Sequence, residues 1–149
     1  MIGLLQRVTE ASVQVDGEVV GAIGPGLLVL VGVQRGDTEV QAQRLLQRLL
    51  AYRVFADAEG KMNLSLRDIG GGLLLVPQFP LAADTGKGLR PSFSSAATPE
   101  QGRALFGHLL CSAQAEHQPV ASGIFGADMQ VALVNDGPVT FWLEITPTS

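Results

Sequence analysis

Residues 27–33 read Leu-Leu-Val-Leu-Val-Gly-Val, with no polar position in either phase of a strand's two-residue alternation. A strand with one wet face keeps polar residues on it, so this run predicts a central strand covered on both faces. Residues 73–76, Leu-Leu-Leu-Val, repeat the pattern. Two such strands need cover above and below, and two helical patterns can supply it.

The first helix starts at Asp37 or Thr38 as cap and runs to about Ala51. Val40, Leu45, Leu46, Leu49 and Leu50 form its apolar stripe, with Gln43, Arg44, Gln47 and Arg48 outward. The second opens on Thr98-Pro99-Glu100-Gln101, with Thr98 as cap, Pro99 at the first helical position and Gln101 placed to complete a capping box. It runs to residue 116 or 117, with Leu105, Phe106, Leu109, Leu110 and Ala113 inside.

Shorter strands are expected at residues 2–8, 52–55, 120–124, 129–134 and 139–145. A hairpin over 11–15 and 18–23 turns at Asp16-Gly17. Residues 61–69 read as loop, and the tail from 146 to 149 as frayed. Asn135-Asp136-Gly137-Pro138 lies between two apolar runs and reads as a hairpin turn. The sum is an α/β fold: one domain over 149 residues, with a mixed, strongly curved β-sheet covered by two main helices. With 46% of residues hydrophobic, the chain can fill that core.

Several function classes drop out. No apolar run approaches the roughly 18 residues of a membrane span. The N-terminus lacks a basic segment followed by an apolar stretch and cleavage site, so no signal peptide is expected. The single cysteine, Cys111, leaves no internal disulfide and fits a reducing compartment, so a cytoplasmic location is expected. A net charge of −4 argues against binding nucleic acid through the overall field, but permits local contact with one end of an RNA.

The usual catalytic sets are missing. His108 and His117 are nine apart on one helix with no further ligand at metal spacing, so no metal is expected and both read as solvated. Cys111 reads as a helix packing residue. Gly24-Pro25-Gly26 and Gly70-Gly71-Gly72 lack the Lys-Ser/Thr of a phosphate loop. Asp57 and Glu59 sit in a solvent-facing turn. Chemistry must then come from backbone groups and from the substrate. One candidate is the long aperiodic stretch from Pro77 to Pro91. It has Gln78 as polar anchor and backbone N–H groups at Gln78, Phe79 and Leu81 that could stabilise an oxyanion. The other is the Gly137-Pro138 turn, whose aimed carbonyls can accept from an ammonium group.

At these two stretches the chain resembles the D-aminoacyl-tRNA deacylase family. The resemblance begins at Gln6-Arg7-Val8-Thr9-Glu10-Ala11-Ser12-Val13 and continues through residues 24–33 and Gly60-Lys61-Met62-Asn63. It takes in Gln78-Phe79, Leu81, the segment from Gly88 to Phe93, Phe125-Gly126-Ala127, Met129 and Asn135 to Thr140. It implies a homodimeric ester hydrolase, without cofactor, that removes D-amino acids from the tRNA 3′ end. One subunit would contribute the Gln78 and Phe79 loop. The other would insert Gly137-Pro138 with a cis peptide, held by Arg7. Phe125 would lie near the terminal adenosine and Met129 would line the pocket. Pro77, Pro80, Asn135 and Thr140 complete the implied substrate-binding set. Lys87 and Arg90 are expected at the 3′-terminal phosphates.

The chain departs from the family where Pro77-Gln78-Phe79-Pro80-Leu81 replaces the usual Ser-Gln-Phe-Thr-Leu. Both hydroxyls are gone, so neither position can supply a nucleophile, and water attack assisted by the tRNA 2′-hydroxyl remains. Pro80 has no N–H, which favours Phe79 as oxyanion donor. The same two prolines leave open a weakened homologue that holds charged tRNA without efficient turnover.

Overall fold

The computed structural model describes residues 1–147, apart from the side chain of Pro80. The expectation of a frayed tail lies partly outside these residues. Strand β1 (Ile2–Val15) pairs antiparallel with β2 (Glu18–Ile23) through its second half and with β3 (Gly26–Gly32) through its first. The two segments expected at 2–8 and 11–15 are therefore one bent strand. Bulges between Gln6 and Glu10 re-aim it without ending it.

Helix α1 (Glu39–Ala51) follows, then a small ribbon of β4 (Phe55–Ala56) and β5 (Met62–Leu64). The strand expected at 52–55 shrinks to this ribbon. Helix α2 (Leu66–Ile69) occupies part of the expected loop, because Ser65 and Asp68 close a capping box around one turn. Strand β6 (Gly72–Pro77) runs parallel to β3, and β7 (Val120–Ser122) runs parallel to β6 after helix α3 (Pro99–Glu116).

The last strand, β8 (Gln130–Glu144), corrects the hairpin expectation. Residues 130–135 and 140–144 both pair with β1, in one direction, along its outer edge. A hairpin would reverse the chain, and here it does not reverse. Between the pairs Val8–Asn135 and Gln6–Thr140, β8 has four intervening residues against one on β1. The surplus is pushed out of the sheet as a local excursion.

The sheet order is β2-β1-β3-β6-β7, with β8 beside β1, and it curls until β2 meets β7. A Cβ at Gly21 would sit 2.7 Å from the Ser122 carbonyl oxygen, which shows how close the edges come. The helix-facing side buries Leu27, Val29, Val31, Leu73 and Leu75 against Leu45, Leu46, Leu49 and Leu50 of α1 and Leu105, Phe106 and Leu109 of α3. The inner face buries Leu28, Leu74 and Val76 with Val8, Val13 and Ile23. Both faces of β3 and β6 are dry, as their composition requires. Each fully buried leucine contributes about 1.5–3 kcal/mol.

The helix expectations need local corrections. Thr38 is the cap of α1, but Val40 is 52% exposed, and Gln41 is buried in its place as the second half of the capping box. Thr98 caps α3, yet Gln101 reaches across to the Asp37 carbonyl at 2.9 Å instead of back to the cap. Cys111 faces solvent, because it lies opposite the Leu109 and Ala113 stripe. The His117 ring bonds the Gly71 carbonyl at 2.6 Å and so ties the end of α3 to the start of β6.

Candidate active site

The parallel pair β3 and β6 ends together at Val31 and Pro77, and the chain breaks from the sheet there. Ligand sites favour such carboxyl ends, where strand termini leave backbone groups unpaired. A cavity of about 430 Å³ opens beside Pro77. Its walls are Val76, Pro77, Gln78 and Phe79 on one side, Phe125 to Met129 and Val131 on the other, and Pro99 at the start of α3. Pro77, Gln78, Phe79, Phe125 and Met129, widely spaced in the sequence, are brought together here.

Two of the three candidate oxyanion donors are already engaged. The Gln78 N–H donates to the Val31 carbonyl at 2.8 Å, and the Leu81 N–H donates to the Gln78 carbonyl at 3.2 Å. The Phe79 N–H has no acceptor among the described residues. Phe79 and Pro80 lie in one turn of 3-10 helix, Phe79–Ala82, which sets the direction of that donor. The rings of Phe79 and Phe93 pack at 5.1 Å.

Three glycines shape the opposite wall. A Cβ at Gly123 would meet Met129 Sδ at 2.6 Å and Pro77 Cδ at 3.4 Å. A Cβ at Gly102 would meet Phe125 Cζ at 3.2 Å. Gly126 takes φ of +81°, which lets the chain fold back under Phe125. Gly102, Gly123, Pro99 and the exposed Asp128 at the cavity mouth were not anticipated from the sequence. None carries a local signal, because each acts by proximity to a distant segment.

The second expected group sits elsewhere. The Asn135 side chain accepts from the Val139 N–H at 2.9 Å and donates to Thr140 Oγ1 at 2.8 Å, clamping the excursion at its base. Val139 is buried below it, while Gly137 and Pro138 project into solvent. The Gly137-Pro138 bond is cis. Arg7 donates to the Asp136 carbonyl at 3.0 Å and to the Val54 carbonyl at 2.7 Å. Arg7 lies opposite Leu27, which pairs with Leu73. Pro77 is four residues further along β6, roughly 13 Å at the rise of a strand. The turn and the cavity thus lie apart within one chain, and Gly137 and Pro138 are absent from the cavity walls.

Lys87 and Arg90 are exposed on a third element, the loop closed by the reciprocal bonds of Asp84 and Ser92 at 2.6 and 2.8 Å. Among the described residues there is no cluster of His, Cys, Asp or Glu able to hold a metal. No described helix is long and apolar enough to cross a membrane.

Residues 4–144 match the family model described as D-Tyr-tRNA(Tyr) deacylase. A D-aminoacyl-tRNA deacylase of Thioalkalivibrio sulfidiphilus is 70% identical over 147 residues, covering 99% of each chain. One from Alkalilimnicola ehrlichii is 66% identical over 149 residues, covering 100% of this chain and 99% of the relative. A solved structure named c-Myc DNA Unwinding Element Binding Protein superposes with a TM-score of 0.93 at 39% identity, over 98% of this chain and 99% of the other.

Proposed function

The chain belongs to the D-Tyr-tRNA(Tyr) deacylase family, and on that premise we propose that it hydrolyses the ester bond of D-aminoacyl-tRNA to D-amino acid and tRNA. The observation that carries this reading is the chemistry of the cavity. Its described walls are largely apolar, with an unclaimed N–H at Phe79 and no Ser, Thr, Cys, His or Lys. A wall of this kind can hold an ester and stabilise an oxyanion, and its one carboxylate, Asp128, is exposed at the mouth, so it offers no hydroxyl, thiol or amine nucleophile.

The attacking oxygen is then water. It adds to the ester carbonyl carbon, and the developing O⁻ accepts a hydrogen bond from the Phe79 N–H. The carbon–oxygen bond to the ribose 3′ position breaks, and that oxygen leaves with a proton. The neighbouring 2′-hydroxyl assists the proton transfer. Gln78 orients the ester, Pro77 and Pro80 stiffen the loop, Met129 lines the pocket and Phe125 packs near the terminal adenosine. Lys87 and Arg90 add positive charge along the approach of the 3′ end.

The distance between turn and cavity supports a homodimer in which one subunit's Gly137-Pro138 enters its partner's cavity. Gly137 brings no side chain and the Pro138 ring fixes its own φ, so backbone carbonyls can approach the substrate Cα and accept from its ammonium. An L side chain collides with that wall and a D side chain points away. Glycine passes in part, having no side chain to exclude.

The test is release of amino acid from D-tyrosyl-tRNA and L-tyrosyl-tRNA side by side, with Pro138→Ala as comparison. Fast release from the D substrate alone, lost in Pro138→Ala, supports the reading. Binding without release from either would show that Pro77 and Pro80 have left a holder of charged tRNA. Equal release from both would overturn the chiral wall.

A further inference from the structure

Arg103 lies on the second turn of α3 with its guanidinium over the Phe125 ring, 5.1 Å from the centroid. A Cβ added at Gly126 would come within 3.6 Å of Arg103 Nη2, so the cation overhangs the cavity rim that Phe125 and Gly126 form. Among the described residues no carboxylate pairs with it. Four of the other nine Lys and Arg side chains are engaged elsewhere: Arg7 on the Asp136 and Val54 carbonyls, Arg48 over Tyr52, Arg53 on Asn63, Lys61 beside Glu59. Among the described residues, Arg103 is the one held over a residue of the cavity wall.

A guanidinium held over a ring by a cation–π contact keeps its N–H fork free to take a phosphate with two parallel bonds. A chain of net charge −4 repels a polyanion at long range, so its attraction must come from cations at the point of contact. An ester seated at the Phe79 N–H has its nucleotide leaving through the cavity mouth. The next charged group along that strand is the phosphodiester on the 5′ side of the terminal nucleoside.

We propose that Arg103 binds this phosphodiester, so that the site takes esters carried on a nucleic acid in preference to esters of a bare nucleoside. The inference rests on the deacylase reading above.

The experiment compares D-tyrosyl-tRNA with D-tyrosyl-adenosine, which has no phosphate, using the full chain, Arg103→Ala and Arg103→Lys over a range of salt. On the tRNA substrate, Arg103→Ala is expected to raise KM about tenfold with kcat held, and to reduce the salt slope by about one. On D-tyrosyl-adenosine its kcat/KM stays within about twofold of the parent chain. Arg103→Lys recovers part of the tRNA defect, because it restores charge without the fork. Equal loss on both substrates would overturn the proposal, since it would mean Arg103 only holds Phe125 in place. No loss on either would overturn it too. A parent chain inert on both substrates would instead sink the deacylase reading, and this inference with it.

Discussion

Arg7 Nε donates to the carbonyl oxygen of Asp136 at 3.0 Å, across 129 residues of sequence, and so fastens the middle of β1 to the excursion in β8. The second arm, to the Val54 carbonyl at 2.7 Å, anchors the same guanidinium beside β4. The Asp136 carboxylate stands 3.7 Å away and is 53% exposed, so the ion pair adds little beside the two backbone bonds.

Arg7→Ala removes both bonds and leaves the part-buried Val54 carbonyl without its partner. It should cost about 1–3 kcal/mol by denaturant titration and lower deacylation at least about tenfold. Arg7→Lys should recover little, because one ammonium on a flexible stem does not reproduce the fork. If the site is shared between subunits, Arg7→Ala and Gln78→Ala spoil different halves of it. Refolded as an equal mixture, they should regain roughly a quarter of parental activity from the mixed dimers. No regain would mean that the turn and the cavity do not combine across subunits.

Asn135→Ala loses the clamp on Val139 N–H and Thr140 Oγ1. A loss of about 1–2 kcal/mol is expected, with poorer discrimination between D and L substrates. Asn135→Asp keeps the acceptor for Val139 and loses only the donor, so it should fall between Asn135→Ala and the parent. Thr140→Val isolates the bond to Thr140 Oγ1. An unchanged D-to-L ratio in Asn135→Ala would separate the clamp from selectivity.

Gly26→Ala should prevent stable folding. A Cβ there would sit 1.9 Å from the Gly72 carbonyl oxygen, backbone against backbone in the parallel pair of β3 and β6. No rotamer change relieves such a clash, so the cost exceeds the 1–3 kcal/mol typical of an overpacked core. Thermal melts of the soluble fraction would reveal it. A parent-like Tm would mean that β3 and β6 separate more easily than their register suggests.

Acid should weaken the fold through Asp68 and Asp57. The Ser65 N–H, then the Ser65 hydroxyl, hold the Asp68 carboxyl below its ordinary 3.8. The Lys61 N–H does the same for Asp57. With the folded value lowered, the unfolded chain binds protons first as pH drops. Their contribution is complete above 3.8 and is lost as pH falls through the folded values. Urea midpoints should therefore decline below about pH 4, and Asp68→Asn should flatten that decline. An unaltered slope in Asp68→Asn would assign the acid sensitivity to other groups.

Much of the fold was legible because its signals are local. Thr38 and Thr98 announced their helices, since a cap needs only its own next three residues. The unbroken apolar runs at 27–33 and 73–76 announced dry strands, which became β3 and β6. The Lys61 to Ile69 segment reads as loop from its sequence because one turn of helix buries a single residue, Leu66, and leaves no periodicity. Val40 fits the apolar stripe by its helical period, yet at the start of α1 it is 52% exposed.

The sequence alone determined which groups are on offer: a Gly-Pro turn with no side chain at Gly137, and a loop in which Pro77 and Pro80 supply neither a hydroxyl nor an N–H. These follow from covalent structure and need no fold. The tertiary structure decided how those groups are used. It spent the Gln78 and Leu81 N–H groups on Val31 and Gln78 and left Phe79. It made residues 136–139 an excursion within one strand, because β1 pairs with both flanks of it. It brought Arg7 to Asp136 and Arg103 to Phe125. Pairing register and approach across a sheet arise from many contacts acting together, and short-range residue preferences hold no record of them.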